Sequence, residues 1–249
     1  MNEDINKLLD LFKNINKEGY IEGINRSNNS CGLTFEKLIN KKADSKFTPD
    51  FNSIEIKTTQ RYSRYSIGLF NLTFDGPEQN ESNYLLNKYG FLDKEYGQKK
   101  LIVNLKYNEK VSIYGKYYFE LKLNHNEQRL EIIIYNPWMK IIETRGYISF
   151  NSLKERINIK LQYLALVFAS KKSIADTPLF RYYKIIFYKL KGFNAFIKLI
   201  EVGDIEVVLM LRFARSGINV GTNKNKGISF KIKKDKVDNL FEEIYRFED

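Results

Sequence analysis

Residues 4–15 carry Ile5, Leu8, Leu9, Phe12 and Ile15 at three- and four-residue spacing, an apolar stripe that predicts an amphipathic opening helix with a scaffold role. The turn-like segment RSNNSCG at 26–32 leads into TFEKLIN, where Thr34 is expected to cap a short helix bearing Glu36 on its first turn. Beyond a loop containing Pro49 the period changes from helical to two. SIEIKTTQRYS predicts a strand with Ile54 and Ile56 on one side and Glu55 and Lys57 on the other. SIGLFNLTF reads as a second strand, and the polar DGPEQNESN marks the first boundary between lobes.

Between 101 and 135 the runs LIVNLKYN, KYYFELKLN and RLEIIIYN predict an antiparallel meander. FNSLKERINIKL at 150–161 predicts a helix capped by Asn151 that feeds the apolar strand YLALVFAS. GFNAFIKLIEVG predicts another helix, followed by the strand DIEVVLMLRFA, a loop, the strand ISFKI and a closing helix KVDNLFEEIYRF. Alternating helices and strands predict one α/β protein with a β-rich insertion. Two lobes are expected, one of about 1–77 and 145–205 that would hold the candidate chemistry described below, and one of about 78–144 and 206–249 that would hold a recognition surface.

Composition narrows the chemistry. A chain of 249 residues with 43% hydrophobic content can bury a sizeable core. The apolar run LALVFA at 164–169 is far shorter than the roughly 20 residues of a membrane span, and MNEDINK lacks a signal-peptide layout, so a cytoplasmic location is expected. With one cysteine, Cys31, and one histidine, His125, neither an internal disulfide nor a conventional zinc site is expected. His125 falls in the turn NHNEQ, which suits a hairpin tip. A metal would be held by oxygen. The net charge of +11 and pI near 9.4 suit a polyanionic partner, although 31 lysines against 10 arginines also suit a general compositional bias.

Asp50, Glu55 and Lys57, in PDFNSIEIK, concentrate the candidate chemistry. Side chains two apart on a strand share a face, so Glu55 and Lys57 project together, and Asp50 at the strand entrance can turn toward them. Two carboxylates with a backbone oxygen form a hard-oxygen site suited to Mg²⁺. Phosphodiester hydrolysis needs an attacking water, neutralised phosphoryl oxygens and assistance to the leaving group, which such a site with a lysine supplies. Glu36 would serve a second metal or the first metal's water. The competing reading is an ordinary solvated strand face, against which stands the apolar frame of Phe51, Ile54 and Ile56.

The runs GLTFEKLIN, PDFNSIEIKT and SIGLFNLTFDGP, with NKYGFLDKEYG, KLQYLALVFASK, GFNAFIKLIEVGDIEV and GISFKI in the same order, resemble the MvaI/BcnI family of restriction endonucleases and, more distantly, the mismatch-repair nickase MutH. The resemblance implies a PD-(D/E)xK nuclease fold with a mixed sheet flanked by helices, Mg²⁺ dependence with Mn²⁺ able to substitute, and cleavage of one DNA strand at a time by a monomer. It also implies a DNA methyltransferase acting in the same system. It assigns Asp50, Glu55 and Lys57 to the catalytic positions, with Asp50 and Glu55 as metal ligands, and Glu36 to the auxiliary acidic position. Where the family carries a histidine-rich HDHGT-like motif for sequence reading, this chain has NVGTNKNKGISFKI, which implies a different or weakened specificity.

Eight Lys or Arg residues and one acidic residue, Asp235, lie between Arg212 and Lys236. Arg212, Arg215, Lys224, Lys226 and Lys231 are candidates for reaching a DNA groove, where Arg or Lys suits guanine and Asn suits adenine. The other lysines of the segment suit phosphates. Arg61 and Arg64, just past the candidate catalytic strand, are candidates for backbone contacts. A solvated basic surface is the plain alternative. Three functional readings remain open on sequence: a type II restriction endonuclease, a MutH-like nickase, and a DNA-binding module without chemistry. An RNA substrate is disfavoured, since no RNP-type aromatic signature is found.

Overall fold

The computed structural model describes residues 2–40, 48–213 and 227–249. Its first half runs α1 (Glu3–Lys17), β1 (Ile21–Glu22), α2 (Ser30–Leu38), β2 (Ile54–Gln60), β3 (Ile67–Leu72), α3 (Glu81–Tyr89), β4 (Phe91–Asp93), β5 (Gln98–Leu105), β6 (Val111–Ile113), β7 (Tyr117–Asn124), β8 (Arg129–Tyr135) and β9 (Ile141–Ser149). The second half runs α4 (Phe150–Lys160), β10 (Tyr163–Ile174), β11 (Thr177–Leu190), α5 (Phe193–Glu201), β12 (Ile205–Arg212), β13 (Ile228–Ile232), a 3-10 turn (Lys234–Lys236), α6 (Val237–Leu240) and β14 (Phe241–Glu248). No helix of the described residues is long and apolar enough to cross a membrane.

Two compact units divide the chain. The first comprises 1–67, 156–195 and 234–249, and the second 68–155 and 196–233. In the first, the described strands form a mixed sheet in the order β1-β11-β10-β2, with β14 also paired to β11. Only the β2–β10 pairing is parallel. A parallel neighbour requires a long crossover rather than a hairpin, and α4 completes it by delivering the chain directly into β10. One face of this sheet, including Ile54, Ile56, Ala165 and Val167, packs into a core with the apolar stripe of α1 and with Cys31 and Phe35 of α2. The opening helix is therefore a scaffold, as its periodicity predicts. Phe12 lies fully buried there, its ring 6.3 Å from that of Phe35 and 5.8 Å from that of Phe247.

The second unit holds two sheets, β3-β13-β12-β5-β4 and β6-β7-β8-β9. The predicted meander is thus split: β7 and β8 pair as expected, whereas LIVNLKYN contributes β5, which pairs with β12. Periodicity identifies a strand but not its partner. Gly227 shows a close constraint, since its φ is +67° and a Cβ there would stand 2.0 Å from the Leu72 carbonyl oxygen. Its own carbonyl accepts a hydrogen bond from the Met210 amide at 2.9 Å, so the backbone has little room to withdraw.

Several local expectations are corrected. Helix α2 starts at Ser30, which puts Thr34 in its interior and Glu36 on its second turn. The Thr34 hydroxyl donates to the Ser30 carbonyl and accepts from the Ile24 amide instead of capping. At α4 the cap is Ser149, whose Oγ accepts from the Ser152 amide at 3.1 Å, and Asn151 lies inside the helix. The closing helix is only Val237–Leu240, after which FEEIYRFE extends as β14 because β11 offers it an edge. Glu81–Tyr89 and Thr177–Leu190, for which no element is predicted, are α3 and the long central strand β11.

Two stability outcomes follow. Phe12→Ala is expected to remove about 3–5 kcal/mol of unfolding free energy by opening a cavity in the first unit, read by urea denaturation. Gly227→Ala, strained in both φ and contact, is expected to lower the midpoint as well, whereas Gly97→Ala, with open space around its Cβ, has only the left-handed φ to oppose it and should shift the midpoint less.

Candidate active site

The turn before β2 is closed by reciprocal backbone hydrogen bonds between Phe51 and Ile54, with Asn52 at a positive φ of 49°. Asp4 of α1 pins it from outside, accepting from Asn52 Nδ2 at 2.9 Å and Ser53 Oγ at 2.7 Å. These two bonds hold the Asp4 carboxyl below its ordinary range. The turn sets Asp50 against the strand, where its Oδ2 accepts from the Ile56 amide at 3.0 Å. Asp50 therefore does face the strand that carries Glu55 and Lys57.

Glu55 is fully buried. Its register partner on β10 is Leu164, also fully buried, so the carboxylate occupies a low-dielectric setting. Oε1 receives the Lys57 ammonium at 2.5 Å and that of Lys160 at 3.3 Å. Oε2 is buried without a hydrogen-bond partner. Burial pushes the Glu55 carboxyl upward in pKa, the nearby Asp50 adds to that, and Lys57 and Lys160 oppose it. An orphaned, buried carboxylate oxygen beside a second carboxylate is the donor arrangement that a small divalent cation satisfies. Asp50 and Glu55 thus fit a hard cation as ligands, and a bound ion would draw its remaining ligands from water and phosphate oxygens. Among the described residues no trio of Asp, Glu, His or Cys is grouped to hold an ion by itself, so Glu36 does not complete one with this pair. Glu36 lies partly exposed on α2, which packs against β2.

Lys160 is the residue that sequence reasoning missed. It ends α4, three positions before Tyr163, and Tyr163 pairs in parallel with Ile54. That register returns the end of the helix to the entrance of β2. The available signal was a helix ending in lysine that feeds a strand, but only knowledge of the strand's partner places that lysine at Glu55.

Arg61 and Arg64 are exposed on the loop after β2. The Arg61 guanidinium lies 5.6 Å from the ring centre of Tyr62 and 5.9 Å from that of Tyr183, while Tyr62 and Tyr65 are each 86% exposed. Lys234, assigned from sequence to phosphate contact, points inward instead. Its ammonium donates to the Gln60 carbonyl at 3.1 Å and approaches the Arg61 and Ser63 carbonyls at 3.5 Å, and burial lowers its pKa. In the second unit, Arg212 ends β12 and Lys231 lies on β13 opposite Glu206, both partly exposed. Arg215, Lys224 and Lys226 fall outside the described residues. His125 lies in the β7–β8 turn, as expected for a hairpin tip.

Comparison with known proteins bears on the chain as a whole. Restriction endonuclease MvaI in complex with its cognate DNA substrate superposes with a TM-score of 0.90 at 27% sequence identity, covering 98% of each chain. MvaI in the absence of DNA, at the same identity and coverage, superposes with a TM-score of 0.62. Curated proteins give no match. The profile of the MvaI/BcnI restriction endonuclease family matches residues 9–241. A match spanning nearly the whole chain, joined to the shared mixed α/β fold, means that this protein belongs to the MvaI/BcnI restriction endonuclease family.

Proposed function

We propose that this type II restriction endonuclease hydrolyses phosphodiester bonds of double-stranded DNA at a short specific sequence, using Mg²⁺ held by Asp50 and Glu55 and the ammonium of Lys57. The observation that carries the assignment is the buried Glu55 carboxylate, with one oxygen on lysines and the other without a partner, beside Asp50. The MvaI structure with cognate DNA supports a duplex as substrate.

Bound there, Mg²⁺ would neutralise charge on the scissile phosphate and make the attacking water more acidic. In the net reaction the water oxygen bonds to phosphorus, the bond to the departing sugar oxygen breaks, one proton leaves the water and one ends on the departing oxygen. Lys57 orients the water and meets the negative charge that builds on the phosphoryl oxygens. Asp50, fastened through the Ile56 amide, keeps its ligand oxygen in a fixed direction. Glu36 is assigned to orienting a water at the edge of the site. Arg61 and Arg64 contact the DNA backbone, and Arg212, Arg215, Lys224, Lys226 and Lys231 contribute to groove and phosphate recognition. The protein works as a monomer, and a DNA methyltransferase of the same system protects the host's own sites.

Purified protein with Mg²⁺ is expected to cut an unmethylated phage genome into discrete fragments, and EDTA to stop it. Lys57→Ala and Asp50→Ala should each reduce cleavage by about 10³-fold or more while DNA binding persists in a gel-shift assay. Cleavage that survives both changes rules out the proposed site. Because a ligand that binds only the folded state stabilises it, Mg²⁺ should raise the melting temperature of the wild type. Glu55→Gln should abolish that rise, as followed by calorimetry.

A further inference from the structure

Two ammonium groups converge on one oxygen of Glu55, and the proposed reaction employs only one of them. Lys57 Nζ lies 2.5 Å from Oε1 and Lys160 Nζ lies 3.3 Å from it. They come from different elements, Lys57 from β2 and Lys160 from the last turn of α4. The Lys57 side chain is 25% exposed and that of Lys160 13%. A lysine at a helix C-terminus is ordinarily favoured by the helix dipole and points its head to water. Lys160 points inward to a buried acid instead, so the dipole alone does not account for it.

The pairing bears on what Lys57 can do. At 2.5 Å from Oε1 its ammonium spends one of three N–H donors on Glu55, and shifting toward a phosphate or an attacking water lengthens that contact. If Lys57 were the sole partner, that movement would leave Oε1 buried without a partner while only Oε2 faced the cation, which is unfavourable. We infer that Lys160 is a positioning residue that keeps hold of Glu55 Oε1 when Lys57 moves to the reacting phosphate, so that Oε2 stays turned toward the cation. The inference rests on the metal-dependent nuclease reading given above. It assigns the two lysines different work on the same oxygen: Lys160 holds, and Lys57 is released.

The consequence is an unusual pair of effects. Removing the Lys160 charge makes the site more negative, which favours cation binding, yet it binds Lys57 more firmly to Glu55 and slows chemistry. Lys160→Met retains the aliphatic stem, Lys160→Arg retains the charge, and Glu55→Gln serves as the control for metal binding. Full-length proteins would be compared by thermal melting, by Mn²⁺ binding followed by electron paramagnetic resonance, and by single-turnover cleavage of a duplex whose site has been mapped with the wild type. Lys160→Met is expected to melt as a folded protein and bind Mn²⁺ at least as tightly as the wild type. Its single-turnover rate at saturating Mn²⁺ should be about a hundredfold lower, with Lys160→Arg recovering most of it. A wild-type rate in Lys160→Met, or loss of its Mn²⁺ binding, overturns the assigned role. Failure of the wild type to bind Mn²⁺, or undiminished binding by Glu55→Gln, overturns the metal-site reading beneath it, before the Lys160 variants are compared.

Discussion

The burial of the Glu55 carboxylate between a sheet and two ammonium groups is the constraint around which the first unit is arranged. Removing a carboxylate from water costs on the order of several kcal/mol unless it is paired, and here only one of its two oxygens is paired within the chain. The frame must therefore hold Glu55 in place by other means. Ile54 and Ile56, on the opposite face of the same strand, supply apolar burial against α1 and α2. In-register pairing with β10 fixes the strand along its length. The Asp4 bonds to Asn52 and Ser53 then set the angle at which Asp50 arrives.

That frame explains why the first lysine was readable and the second was not. Glu55 and Lys57 are two apart on a strand flanked by alternating isoleucines, so local periodicity alone places them together. Lys160 depends on a parallel pairing between segments about a hundred residues apart, and nothing within either segment announces it. The same limit accounts for other departures. FEEIYRFE carries apolar residues compatible with either a helix or an extended segment, and its pairing with β11 decides the outcome. LIVNLK has a clear strand pattern, but its pairing with β12 is a property of the second unit as a whole. Thr34 has the chemistry of a cap, and an upstream start to the helix turns its hydroxyl to another use.

Charge was the least local of the sequence signals. A basic segment suggests phosphate contact, yet Lys234 gives its donors to backbone carbonyls of the loop after β2. Three peptide oxygens near one ammonium help fasten the loop, beside the hydrogen bond from the Arg61 amide to the Ala169 carbonyl, and on that loop Arg61, Tyr62, Arg64 and Tyr65 remain exposed. One lysine thus acts as a structural clamp so that its neighbours in space can face outward. A net charge of +11 does not distinguish these roles, because electrostatic sums count charges without regard to direction.

On the proposed reading, chemistry and sequence choice make different demands on side chains. Hydrolysis as proposed needs few groups at fixed positions, and Asp50, Glu55 and Lys57 stand on β2 and its entrance turn, against a well-packed core. Reading bases needs donors and acceptors matched to a groove, and that match can be rewritten without touching the frame. In NVGTNKNKG, lysine and asparagine stand where the resembled family pattern has histidines. Lysine only donates, and suits the acceptor edge of guanine. Asparagine donates and accepts, and suits adenine. A neutral imidazole offers one of each on a rigid ring, so the replacement changes both the pattern of hydrogen bonding and its reach. The strands bordering the segment, β12 and β13, stay fixed by their pairing with each other and by the close approach of Gly227 to Leu72. On the proposed reading, a change in the bases selected can be made in this segment, while Glu55 stays under the constraint of a buried charge.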